Sequence, residues 1–119
     1  EDAVVVAQAR AANIPFEVCL TSNIQSGVVT SLSGHPLPQM LASGLNVTLN
    51  TDDPSISQIT LGHEHGLACE ELGCDLPQLK QCLLRGVQAA FLPQPERVAL
   101  SQKLEVEFNR TASALEGAI

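Results

Sequence analysis

Two adjacent carboxylates, Asp52 and Asp53, followed by Pro54, and a hydroxyl and amide run, Thr21-Ser22-Asn23, are the side chains whose types and placement could do chemistry. Each group follows a short apolar, β-prone segment. A carboxylate can ligate a metal ion, steer a water molecule or accept a proton, and a neighbouring hydroxyl can fix it by a hydrogen bond. Side chains that leave a strand as neighbours diverge, so one carboxylate can face a metal while the other meets a substrate. The same text also fits a helix entrance, with an aspartate capping backbone N–H groups and Pro54 at the first helical position. Spacing alone leaves the two readings level.

Other candidates carry less. His63-Glu64-His65 offers a His-x-His, but on a helix residues two apart point about 200° from each other and could not share one metal. The surrounding text is helical, so a solvated helix face is expected there, as it is for Glu70, Glu71, Glu105 and Glu107. His35 precedes Pro36 and reads as packing or capping at a helix start. Cys19, Cys69, Cys74 and Cys82 form neither a C-x-x-C pair nor a zinc-finger spacing and are flanked by apolar residues, which predicts reduced thiols in or near the core.

The elements that must position these groups follow from periodicity and punctuation. Asp2 to Asn13 predicts a helix with Ala3, Val6, Ala7 and Ala11 on one face, closed by Ile14-Pro15. Phe16 to Leu20 predicts a strand that ends in Thr21-Ser22-Asn23. A helix from His35 to Ser43, stopped by Gly44, leads into a second strand, Leu45 to Asn50, apolar on both faces as in parallel sheets covered by helices. Helices are then expected over Leu61 to Leu72, stopped by Gly73, over Asp75 to Phe91 with an Asp75/Gln78 capping pattern, and over Glu96 to about Arg110, with Thr111 to Ile119 frayed. No antiparallel hairpin signal interrupts this order, so the grammar is βαβ, an α/β fold in which function gathers where strands end.

Composition excludes some classes. A formal charge of −7 and the lack of a Lys/Arg cluster argue against nucleic-acid binding, which needs a dense basic surface. No run approaches the roughly 18 apolar residues that span a bilayer, and Glu1-Asp2-Ala3 is not the basic start of a signal peptide, so a cytoplasmic, soluble chain is expected.

The full text around the aspartates is more particular than a generic helix cap. Leu49-Asn50-Thr51-Asp52-Asp53-Pro54 resembles the strand-eight signature of the adenosine deaminase family, and Cys19-Leu20-Thr21-Ser22-Asn23-Ile24-Gln25-Ser26-Gly27 resembles its strand-seven motif. The likeness continues through His35-Pro36-Leu37 with Gly44, Gly62-His63-Glu64-His65, Leu72-Gly73 and Ala90-Phe91-Leu92, nearly the whole chain. Leu20 stands where the family usually has proline, and His65 where it usually has an aromatic residue.

The resemblance implies a zinc-dependent hydrolase on a (β/α)8 barrel that converts adenosine or deoxyadenosine to inosine or deoxyinosine and ammonia. By that carry-over Asp52 is a zinc ligand that also orients the attacking water, Asp53 hydrogen-bonds the purine at N7, and Ser22 supports the metal aspartate. The family's other metal ligands and its catalytic glutamate lie on strands one, five and six and have no counterpart in these 119 residues. Such a barrel takes about 250 residues, so the chain is expected to be its C-terminal part, residues 1–119, comprising strands seven and eight with flanking helices, incomplete without the remainder of the barrel and inactive alone. Its partner would be the purine nucleoside, with neither nucleic acid nor membrane. Adenine and AMP deaminases share the Asp-Asp-Pro core, and Thr51 with the Thr21-Ser22-Asn23 run favours adenosine. A different class is a non-catalytic interaction or structural module derived from the barrel, which would leave two open strand edges.

Overall fold

A computed structural model describes residues 2–117. The order is α1 (Ala3–Ala11), β1 (Pro15–Val18), α2 (Leu20–Gln25), a 3-10 turn (Leu32–Gly34), α3 (Leu37–Ala42), β2 (Asn46–Leu49), α4 (Pro54–Ser57), α5 (Leu61–Glu70), α6 (Leu76–Ala89) and α7 (Gln94–Gly117). The strands pair in parallel, Pro15 opposite Asn46 through Val18 opposite Leu49, and form a two-stranded sheet. The parallel pairing expected from the βαβ grammar is thus present. Because the pair is parallel, both C-terminal ends open on the same edge, and the Asn50 amide donates to the Val18 carbonyl at 2.9 Å to extend the ladder to that edge.

Helix ends follow local chemistry. Asp2 caps α1 by accepting from the Val4 and Val5 amides. Asn13, at φ 51°, ends it, with the Asn13 amide donating to the Arg10 carbonyl and the Ile14 amide to the Ala9 carbonyl. The same paired bonds close α3, from Gly44 (φ 71°) to the Leu41 carbonyl and from Leu45 to that of Met40. Both are left-handed C-terminal stops, which asparagine and glycine tolerate best. At α6 the Asp75 and Gln78 side chains satisfy each other's backbone amides in the expected capping box.

Val18, Leu20, Leu37, Leu45, Val47, Leu49, Ala68, Cys74 and Cys82 make one buried cluster, in which α3, α5 and α6 cover the sheet. Val47 is fully buried, consistent with a strand sealed on both faces. All four cysteines are free; Cys74 and Cys82 are buried and Cys19 and Cys69 half-buried, as the sequence predicts.

Three expectations need correction. The first strand stops at Val18, and Leu20 opens a helix that takes in the whole Thr21-Ser22-Asn23 run. Leu20 is completely buried, so the chain turns inward there instead of continuing extended. On α1 the covered face is Val6 and Ala9, while Ala3, Ala7 and Ala11 are exposed. At the other end, α7 does not fray at Thr111: it runs to Gly117, with the Thr111 hydroxyl donating to the Glu107 carbonyl at 2.9 Å, while Ala118 and Ile119 lie outside the described residues.

Candidate functional site

The site grows from the sheet edge where both strands end. Past β2 the chain reads Asn50-Thr51-Asp52-Asp53 before α4 begins. Asp52 adopts the left-handed conformation, φ 61°, which few residues other than glycine, asparagine and aspartate enter readily. Asp53 is extended, at φ −111° and ψ 94°. This abrupt change of backbone, and not strand alternation, separates the two carboxylates.

Asp52 is directed toward β1. The Ser22 hydroxyl, in the first turn of α2, donates to Asp52 Oδ2 at 2.8 Å. Asp52 Oδ1 has no hydrogen-bond partner among the described residues. Asp52 and Ser22 line an open cleft of about 670 Å³ together with Glu17, Cys19, Asn23, Asn50 and Leu61. The cleft floor is braced: Asn50 Nδ2 donates to the Thr48 hydroxyl at 2.8 Å, and that hydroxyl donates to the Phe16 carbonyl.

Asp53 does a different job. Its Oδ1 accepts from the Ser55 and Ile56 amides, both at 3.1 Å, with Pro54 at the start of α4. The helix-entrance reading is therefore realised at Asp53. Its side chain is exposed and is not among those lining the cleft.

Glu64 was expected on a solvated helix face, and the structure overturns this: it is completely buried. Both its oxygens accept from the Thr21 amide, Oε1 at 3.3 Å and Oε2 at 3.2 Å, and the Thr21 hydroxyl also donates to Oε1. The sequence held a usable signal, because Glu64, Leu67 and Ala68 share one helical stripe, on which Ala68 is buried and Leu67 packs against the core. His63 is exposed and His65 half-buried, on either side of the inward Glu64, so the two histidines do not converge.

His35 is buried, as its capping role suggests. Its Nδ1 accepts from the Leu37 amide at 3.0 Å, which leaves the hydrogen on Nε2 to be donated to Asn23 Oδ1, also at 3.0 Å. Burial lowers the His35 pKa, opposed by the nearby negative charge of Glu64. The Cys19 thiol at the cleft is pushed the other way: burial raises its pKa, and Asp52, Glu64 and Glu17 add to the rise. Cys19 is therefore a poor nucleophile, and the cleft has an acidic character suited to a cation.

Zinc can be tested against these donors. The exposed Asp52, with an unbonded oxygen and a hydroxyl holding the other, fits one ligand of such an ion. Zinc sites take at least three protein ligands, and among the described residues no group of three His, Cys, Asp or Glu side chains converges. The described residues thus fit a share of a zinc site and not a whole one.

Comparison with known proteins fits this geometry. The sequence model for the family described as adenosine deaminase matches residues 1–107. An adenosine deaminase of Proteus mirabilis is 42% identical over 93 residues, covering 78% of this chain and 28% of that protein. The chain thus spans between a quarter and a third of the length of this curated relative. Among solved structures, an adenine deaminase from Arthrobacter aurescens superposes with a TM-score of 0.85 at 28% identity, over 91% of this chain and 33% of the other. An amidohydrolase from Burkholderia ambifaria with bound Zn superposes with a TM-score of 0.86 at 24% identity, over 96% and 32% of the two chains, a likeness of fold. With a match this extensive, the chain belongs to the adenosine deaminase family.

Proposed function

We propose that this chain forms strands seven and eight, with their helices, of a (β/α)8 barrel that hydrolyses adenosine or deoxyadenosine to inosine or deoxyinosine and ammonia. The observation that carries this reading is the 2.8 Å bond from Ser22, beyond β1, to Asp52, beyond β2. It gathers groups from two parallel strands at one C-terminal edge, where barrels of this type hold their active sites.

Each residue then has a task. Asp52 offers Oδ1 to a zinc ion and orients the water that attacks the purine, while Ser22 holds its other oxygen. Zinc, when bound, lowers the pKa of water to about 7 and so supplies a nucleophile near neutral pH. Asp53 keeps Oδ1 on the α4 amides and has its second oxygen available to share a proton with purine N7, itself an acceptor. The acidic lining of the cleft, Glu17 and Asp52, favours a cation over an anion there. The remaining zinc ligands and the group that protonates the ring come from barrel strands outside these residues.

The four free cysteines suit a reducing compartment such as the cytoplasm. Among the described residues no helix is long and apolar enough to cross a membrane.

Substrate choice is tested by ammonia release from adenosine, deoxyadenosine, adenine and AMP by the complete enzyme. The reading expects adenosine and deoxyadenosine to be preferred. Preference for adenine would instead support the second reading, for which the adenine deaminase likeness of fold and sequence speaks. The 119-residue chain alone is expected to lose zinc on dialysis and to leave adenosine unchanged; stoichiometric zinc retention by that chain would contradict the proposed division of ligands.

A further inference from the structure

The Ser22 to Asp52 contact depends on where α2 sits, and α2 lacks the usual means of fixing itself. It has only six residues, and the residue that precedes it, Cys19, makes no side-chain capping bond. So short a helix gains little from its own backbone bonds. Its position must come from outside.

Two buried side chains supply it. Glu64, from α5, takes the amide and hydroxyl of Thr21. His35, before α3, donates Nε2–H to Asn23 Oδ1, while its own Nδ1 is tied down by the Leu37 amide. The residues held are the immediate neighbours of Ser22, one on each side. Ser22 itself is left to face the cleft and Asp52.

A buried carboxylate with no lysine or arginine partner is costly unless hydrogen-bonded, and here every described hydrogen bond to Glu64 comes from Thr21. Replacing it by alanine or leucine at that place would serve packing better. Its place in a stripe with the apolar Leu67 and Ala68, both packed in the core, therefore points to a task at α2.

We infer that Glu64 is a positioning residue for the site: by gripping Thr21, with His35 gripping Asn23, it sets the rotation of α2 that presents the Ser22 hydroxyl to Asp52. A slip of one residue would turn Ser22 by about 100° away from the cleft. Glu64 touches neither substrate nor reacting atoms, so its effect passes wholly through Ser22 and Asp52. This rests on the deaminase reading only for its catalytic consequence; the geometric part stands on the contacts.

The test is Glu64→Gln in the complete enzyme, by steady-state kinetics with adenosine and by crystallography. Glutamine keeps the size of the side chain and one acceptor but sets an NH2 group against the donors of Thr21. The expected result is a kcat about 10- to 100-fold lower with KM little changed, and a Glu64→Gln/Ser22→Ala double variant no slower than Ser22→Ala alone. The Ser22 Oγ to Asp52 Oδ2 separation is expected to open beyond about 3.5 Å.

Losses that multiply in the double variant, or an intact Ser22 to Asp52 bond in Glu64→Gln, would overturn the inference. If the wild-type enzyme releases no ammonia from adenosine, the deaminase reading fails, and the separation in the variant still decides the role of Glu64. If Glu64→Gln does not fold, Thr21→Val removes the hydroxyl from the other side of the contact. Unchanged geometry and turnover in Thr21→Val would then overturn it, and an opened Ser22 to Asp52 contact would support it.

Discussion

Ser22 and Asp52 lie 30 positions apart in sequence and are joined by a 2.8 Å hydrogen bond across the C-terminal edge of the sheet. The bond takes one carboxylate oxygen and leaves the other to face the cleft. It also holds a residue whose backbone is left-handed at φ 61°, a conformation that the surroundings have to maintain.

Removing that hydroxyl should harm activity more than stability. Ser22 is half-buried and at the cleft, so Ser22→Ala is expected to cost no more than about 1 kcal/mol of folding free energy. Groups that orient a metal ligand typically contribute about 10- to 100-fold in activity or metal affinity. Adenosine turnover and thermal melting of the complete enzyme check this together. A variant that melts far earlier yet turns over normally would mean that the bond serves only the fold.

Asp53 has two assignable jobs, and two substitutions separate them. Serine can still cap α4 through its hydroxyl oxygen but has no second group to reach the purine, whereas alanine can do neither, and loss of such a cap costs about 1 kcal/mol. Asp53→Ser should keep the melting temperature while weakening purine binding, seen as a higher KM. Asp53→Ala should lose both. Equal melting temperatures for the two variants would show that the cap contributes nothing to stability.

Much of this arrangement was legible in the sequence, and the reasons differ by residue. Gly44, Gly73 and the Asp75/Gln78 box mark helix ends by local chemistry, and the structure has them as such. Leu45, Val47 and Leu49 alternate with Asn46, Thr48 and Asn50, and the polar face is covered all the same, with Thr48 buried and its hydroxyl donating to the Phe16 carbonyl. What could not be read locally was α2: Phe16 to Leu20 is β-prone, and the carboxylate that holds Thr21 comes from 43 residues away. Glu64 was misplaced for the converse reason. The stripe it shares with Leu67 and Ala68 marks its face of α5, but the partner that lets a carboxylate be buried there, Thr21, lies in no short window. The Asp52-Asp53 pair lay between these cases, since its sequence marked a bend and a cap without saying which aspartate would serve which.

Alkaline stability follows from the thiols. Burial, then the nearby Cys69, Cys82 and Asp75, raise the Cys74 pKa from 9.0 to about 11. Above pH 9 the unfolded chain loses this proton while the folded chain keeps it, so the folded state binds more protons and stability falls as pH rises. The fall should run between pH 9.0 and about 11. Cys74→Ala is expected to melt somewhat earlier at neutral pH yet to show a shallower decline over that window. Parallel declines of melting temperature in wild type and variant would show that Cys74 is not a source of the effect.

Asp52 is the strand-end carboxylate proposed for the reaction centre, and one substitution addresses it with little disturbance of the backbone. Asparagine tolerates the left-handed conformation and matches the side chain in shape, but removes its charge. The decisive measurement is kcat for adenosine of the zinc-saturated complete enzyme carrying Asp52→Asn. The expected result is a fall of at least about 1,000-fold with the melting temperature nearly unchanged, in line with losing a group that acts in the transition state. Turnover within about tenfold of wild type would contradict the placement of Asp52 at the centre of the chemistry.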